Sequence, residues 1–241
     1  MLEKMIHTVL NKALKTGDED IKQQLSTLKY IAMDLKDLDP LFSQWYIGNI
    51  DVDINMNAEE IEKLSPTLGY KFPSDKAELF LFKQRKEKSY ATSLLWNGGS
   101  GENFASMSLS ISGFELSIQK QISLDIIAKI FEIILNNFSL NYIYLTTEFI
   151  HNTSIFKHRL TVSSICYVSK NINEIDLPHL YKKIDIQNNL NQGTILIFYP
   201  NIYEESDRMK KIIEENAIAL VSLNTIPEIG LDPEFFSDID Y

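Results

Sequence analysis

Cysteine is almost missing from this 241-residue chain: Cys166 stands alone, so no internal disulfide can form and a reducing compartment is expected. Nine glycines and seven prolines are too few for a collagen-like or low-complexity chain. No run of about 18 uncharged apolar residues occurs, so no membrane span is expected. The first thirteen residues carry Glu3 and Lys4 and lack a long apolar stretch, so they do not read as a signal peptide. Basic residues are also scarce. Lys and Arg number 23 against 33 Asp and Glu, a formal charge of −10. Phosphate backbones attract basic stripes, so nucleic acid is not the expected partner. The balance suits a basic protein partner, or simple solubility.

Chemistry-bearing motifs are missing too. The histidines His7, His151, His158 and His179 form no His-Glu-x-x-His arrangement, and no cysteine pair exists for zinc. There is no Walker loop and no Gly-x-Gly-x-x-Gly. The basic knot Phe156-Lys157-His158-Arg159 is too short for a nucleic-acid site. The adjacent carboxylates Glu59-Glu60 and Glu214-Glu215 fall in charged contexts that do not split pKa values for acid–base work. No catalytic residue, metal or cofactor is therefore expected, which favours a binding protein. The runner-up is a hydrolase using acids such as Asp51 and Asp53.

The 44% hydrophobic content is enough for a sizeable core. One apolar helix face repeats at Ile21, Leu25, Leu28, Ala32 and Leu35, widened by Tyr30 and Met33. Thr16 and Glu19 form a capping box before it, and Asp39-Pro40 ends it, because proline pushes the preceding residue out of helical geometry. Phe42, Trp45, Tyr46 and Gly48 follow. A second tryptophan stretch, Leu94-Leu95-Trp96-Asn97-Gly98-Gly99, comes later, and these are the only two tryptophans.

A helix is expected from Pro73 to about Lys88, capped by Ser74, with Ala77, Phe80, Leu81 and Gln84 on one face. Thr92 to Ile118 reads as an antiparallel meander, because apolar residues alternate with serines from Phe104 to Ile111. Ser123 to Asn137 is apolar round most of its circumference, so it is expected to be the central helix. Strands are expected over Tyr142–Thr146 and Leu160–Val168, with Cys166 an inert buried thiol. Asn171–Asn191 looks irregular. Gly193–Pro200 is a continuous apolar strand. A helix from about Tyr203 to Asn216 precedes a last strand, Ala217–Leu223. From Asn201 to Tyr241 there are ten acids against Arg208, Lys210 and Lys211, so that segment supplies −7 of the charge.

Two weak motifs complete the inventory. Asp51 to Glu62 matches the calcium-loop template at its first, third, fifth and closing ligands, but Met56 stands where the sharp bend needs glycine. A calcium or small-ligand module at 51–62 is thus a third reading. Ser100 lies between glycines, but Glu102 breaks the nucleophile-elbow pattern.

Leu38-Asp39-Pro40, then Trp45-Tyr46-Ile47-Gly48, then Leu95-Trp96-Asn97-Gly98, resembles the immunity protein 52 family of bacterial polymorphic-toxin systems. The strand Gly193-Thr194-Ile195-Leu196-Ile197 and the closing unit to Pro227 fit the same family. The likeness runs from about Leu25 to Pro227. It departs at Leu41, where the family has arginine, and in the acidic extension from Glu228. It implies a cytoplasmic, non-enzymatic immunity protein that neutralises a secreted toxin, often a restriction-endonuclease-type nuclease delivered by type VI secretion. The acids Glu204, Glu205, Asp207, Glu214 and Glu215 are expected to contribute to docking its basic domain; Asp39, Pro40, Trp45, Tyr46, Gly48, Trp96, Asn97 and Gly98 are structural. A homodimer is compatible with the sequence. The expected class is α+β, antiparallel sheet with helices on one face. The resemblance implies a single immunity domain over residues 1–227, with 1–137 and 138–227 as candidate similar halves, and 228–241 as an acidic tail.

Overall fold

A computed structural model describes residues 4–10, 27, 30–39, 42, 45–47, 50–52, 78–84, 91–97, 106–111 and 123–229. The fold is α+β. Its strands are β1 (Lys4–Leu10), β2 (Trp45–Ile47), β3 (Ile50–Val52), β4 (Glu78–Gln84), β5 (Ala91–Asn97), β6 (Ser106–Ile111), β7 (Leu140–Thr146), β8 (Ile165–Val168), β9 (Lys182–Gln187) and β10 (Gln192–Ile197). They make one sheet in the order β3-β2-β4-β5-β6-β1-β7-β8-β10-β9, and every pairing is antiparallel. Residues 4–10 form β1 between β6 and β7, and the sheet continues across the break expected near Asn137.

Helices α1 (Leu124–Asn137), α2 (Glu148–Asn152) and α3 (Asp207–Ser222) lie in the second half of the chain. Residues 30–38 are also helical, and the helix ends before Asp39, as the following proline dictates.

Period-two alternation gives β8 and β10 two buried faces. Ile165, Tyr167, Ile195 and Ile197 pack with Ile31, Ala32, Leu35 and the α1 residues Ile127, Ile130, Phe131 and Ile134. Cys166, Val168, Leu196 and Phe198 pack instead with Met209, Ile213, Ala217 and Leu220 of α3. A helix therefore covers the second face as well as the first, which is why β8 and β10 read as unbroken apolar runs. The register shift where Val9 opposes Tyr142 but Leu10 opposes Leu140 skips Asn141. That bulge brings Leu140 and Ile143 to the same face.

The stripe of the 30–38 helix differs from expectation. Ile31 is buried, whereas Tyr30 and Met33 are exposed. Residues 78–84, expected within a helix, form β4, fully registered against β5 from Glu78↔Asn97 to Gln84↔Ala91. The aromatics Phe80 and Phe82 alternate with Leu79 and Leu81, a pattern a strand uses better than a helix does. The expected strand over Leu160–Val168 is confined to Ile165–Val168. The polar stretch 171–191 contains a 3-10 turn, Glu174–Asp176, and the edge strand β9.

The expected strand Ala217–Leu223 is instead the second half of α3. Asn216, Ala217 and Leu220 prolong the buried stripe begun by Met209 and Ile213, at helical spacing. The helix stops only at Asn224, which takes a left-handed φ of 53°. Asn224 N–H donates to Val221 O at 2.9 Å and Thr225 N–H to Leu220 O at 3.1 Å, the paired bonds of a Schellman cap. Of the expected strand at 114–118, nothing falls within the described residues.

Candidate functional site

Helix α3 carries most of the expected docking acids. Ser206 caps it, its Oγ accepting from Met209 N–H at 3.3 Å. With Met209, Ile213, Asn216, Ala217 and Leu220 inward, the outward stripe at 3.6 residues per turn is Asp207, Lys211, Glu214, Glu215, Ile218 and Ser222. Ile218 is 53% exposed, an apolar side chain one turn beyond the Glu214 and Glu215 carboxylates.

The five acids do not share one environment. Asp207 is exposed in the first turn, where the helix dipole favours it. Glu214 lies 3.9 Å from Lys210. Glu215 pairs with His179 Nε2 and lies 3.8 Å from Lys211. Glu204, before the helix, accepts from Tyr199 Oη at 2.7 Å and Ser206 Oγ at 3.1 Å. Its hydrogen bond, and burial after it, hold the Tyr199 phenol above its ordinary pKa. Glu205 Oε1 is buried without a hydrogen-bond partner. Asp207, Glu214 and Glu215 thus belong to the outward stripe, while Glu204 and Glu205 are turned to local structure.

Segment 170–181 is fastened along α3 and to the sheet. Lys170 Nζ donates to Leu223 O at 3.0 Å at one end of the helix. His179 N–H donates to Asn216 Oδ1 at 3.4 Å, halfway along it. Buried Thr194 Oγ1 accepts from Ile172 N–H and donates to Lys170 O, both at 3.1 Å. Lys183 Nζ donates to Ile172 O at 3.0 Å. Between these ties the Glu174–Asp176 turn holds Ile175 out, 93% exposed. No sequence signal pointed to this turn, which fell in a stretch read as irregular.

Several other chemistry-bearing groups among the described residues serve packing. Tyr144 stacks between His7 (5.4 Å between ring centroids) and Tyr142 (5.3 Å). Tyr142 Oη donates to Thr161 O at 3.0 Å. Burial raises the phenol pKa values of Tyr142 and Tyr144 and pushes the Cys166 thiol up to about 12, so these groups stay neutral near pH 7. Arg159, from the basic knot, closes the C-terminal segment: its guanidinium donates to Ile226 O at 2.7 Å and to Glu228 at 2.6 Å.

Two asparagines that no motif flagged bind α1 to the sheet. Asn191 Oδ1 accepts from Leu140 N–H at 2.8 Å, and its Nδ2 donates to Phe138 O at 2.7 Å and to Leu135 O. Asn188 Oδ1 accepts from Asn191 N–H at 2.7 Å and from Leu190 N–H at 2.9 Å. One glycine of the resemblance also has a packing reason. A Cβ at Gly193 would stand 2.2 Å from Val168 O and 2.7 Å from Tyr167 Oη, because the Val168 carbonyl and the Tyr167 ring both lie against the glycine.

Of the structural motif residues, Asp39 follows the 30–38 helix, Trp45 and Tyr46 lie in β2, and Trp96 and Asn97 end β5. Pro40, Gly48 and Gly98 are outside the described residues, as are Ser100, positions 53–62 and the tail from 230. Asp51 lies in β3, opposite Tyr46, where a calcium loop would follow an entering helix. Among the described residues, no three His, Cys, Asp or Glu side chains gather to hold a metal. Among them, too, no helix is long and apolar enough to cross a membrane. A small recess between Thr153, Phe156, Leu160 and Ile213 has room for about one water. The chain matches no protein-family model and no curated protein.

Proposed function

We propose that this chain is a cytoplasmic immunity protein that binds and neutralises a cognate secreted toxin by direct contact. The toxin would be a basic nuclease domain of restriction-endonuclease type. The observation that carries this reading is the outward stripe of α3, where exposed Ile218 lies one turn beyond Glu214 and Glu215, with Asp207 further along the same face, on a helix anchored in the core. Protein interfaces commonly combine an apolar contact with charged surroundings. The −10 charge would speed encounter with a basic partner and repel nucleic acid. The Trp-Tyr-x-Gly and Trp-Asn-Gly stretches supply the family resemblance that names the partner class.

The first test is rescue. Cells expressing the toxin encoded beside this chain's gene should survive only when the chain is co-expressed. Failure to rescue, or turnover of a substrate by the purified chain alone, would refute the reading. Within it, reversing Asp207, Glu214 and Glu215 to lysine should slow association and flatten its salt dependence. Unchanged affinity and salt dependence would remove the stripe from the interface.

A further inference from the structure

We infer that the Glu174–Ile175–Asp176 turn is the anchor of the toxin interface, a point that rests on the function proposed above. Ile175 would enter an apolar pocket on the partner, and Glu174 and Asp176 would face lysines or arginines at the pocket's rim.

Three observations carry this. The first is the degree of exposure. Ile175 is 93% exposed, far beyond Ile218 at 53%, and Tyr181 on the same segment is 59% exposed. The second is rigidity. Ile172 and Leu177, on either side of the turn, are both buried in the α3-side core. Thr194, Lys183 and His179 hold the same segment by hydrogen bonds. A side chain presented by so anchored a turn loses little further conformational freedom on binding, which favours affinity. The third is charge. Glu174 and Asp176 are exposed on both sides of the isoleucine, and among the described residues neither forms an ion pair. An apolar knob with free carboxylates beside it is complementary to a basic-rimmed pocket. It is poorly matched to a second copy of this acidic chain, which would oppose carboxylate to carboxylate.

The turn and the α3 stripe belong to one surface. The Lys170–Leu223 and His179–Glu215 contacts bracket the turn along the helix flank that carries Glu215 and Ile218. An anchor residue with a charged surround is the arrangement in which few side chains dominate binding.

The test uses the full chain and the catalytically inactivated toxin encoded beside its gene, with affinity and rate constants measured against salt. Ile175→Arg should weaken binding at least about 30-fold, mainly through faster dissociation. Its melting temperature should stay at the wild-type value. Glu174→Gln with Asp176→Asn should instead slow association and reduce its salt dependence. If Ile175→Arg binds within about threefold of a wild type that rescues cells, the anchor is overturned and the proposed function stands. If the wild type neither binds nor rescues, both are overturned. If the wild type dimerises, Ile175→Arg is monomeric and toxin affinity is unaltered, the occupant is a second copy and the inference fails.

Discussion

Replacing Asn191 by alanine should destabilise the protein more than any surface substitution. The side chain is 4% exposed and ties three backbone groups together: Leu140 N–H, Leu135 C=O and Phe138 C=O. A buried polar group left without a partner costs about 1–3 kcal/mol. Leu135 O retains a second donor, Asn188 Nδ2 at 3.3 Å. Two groups are therefore at stake, about 2–6 kcal/mol, and a water entering the vacated space brings the expectation to about 3 kcal/mol. For a chain of this size that lowers Tm by about 6–12 °C. Asn191→Asp is the discriminating partner variant. It keeps the acceptor for Leu140 N–H, loses both donors and sets a carboxylate against two carbonyl oxygens. Urea unfolding should therefore rank asparagine above alanine and alanine above aspartate. An aspartate variant at least as stable as alanine, or an alanine cost below about 1 kcal/mol, would refute the reasoning.

Gly193→Ala should cost about 1–3 kcal/mol in the same assay, through overpacking. Adding Tyr167→Phe should not restore it, because the nearest clash, at 2.2 Å, is with the backbone oxygen of Val168. Recovery in the double variant would show that the tyrosine alone sets the limit. Cys166 predicts an alkaline effect. Its folded thiol is pushed up to about 12 by burial, against about 8.5 in an unfolded chain. Between those values the unfolded chain has released a proton that the folded chain keeps, so stability falls as pH rises. Urea midpoints from pH 8 to 10.5 should fall less steeply for Cys166→Ala than for wild type; equal slopes would contradict the assignment. In native protein at pH 8 the thiol should resist a disulfide reagent that labels it at once after unfolding.

What could be read in the residues was what local periodicity decides alone. Serine alternation announced β6, Ser123 announced the start of α1, and Pro40 announced the end of the 30–38 helix. Where two periods fit the same letters, long-range pairing and burial decide between them. Phe80 and Leu81 satisfy a helical face, yet β5 offers seven consecutive registered partners, and that pairing decides. Ala217–Leu223 reads as a strand by composition, but its burial follows the turn of α3, and only an asparagine in left-handed geometry stops it. The candidate surface was half visible. Acids on α3 are apparent from their letters, whereas Ile175 looks like any loop isoleucine until Thr194, Lys183 and His179 are seen to fasten the segment around it.

The position of β1 has a consequence for synthesis. Residues 4–10 leave the ribosome long before their neighbours on either side, 106–111 and 140–146. A nascent chain must therefore keep β1 unpaired until residues 106–111 have been made, and one of its edges open until 140–146 follow. Such distant pairings are slow to form and leave an open hydrogen-bonding edge meanwhile. Termination before residue 140 would leave the β7 side of β1 as an exposed edge prone to aggregation.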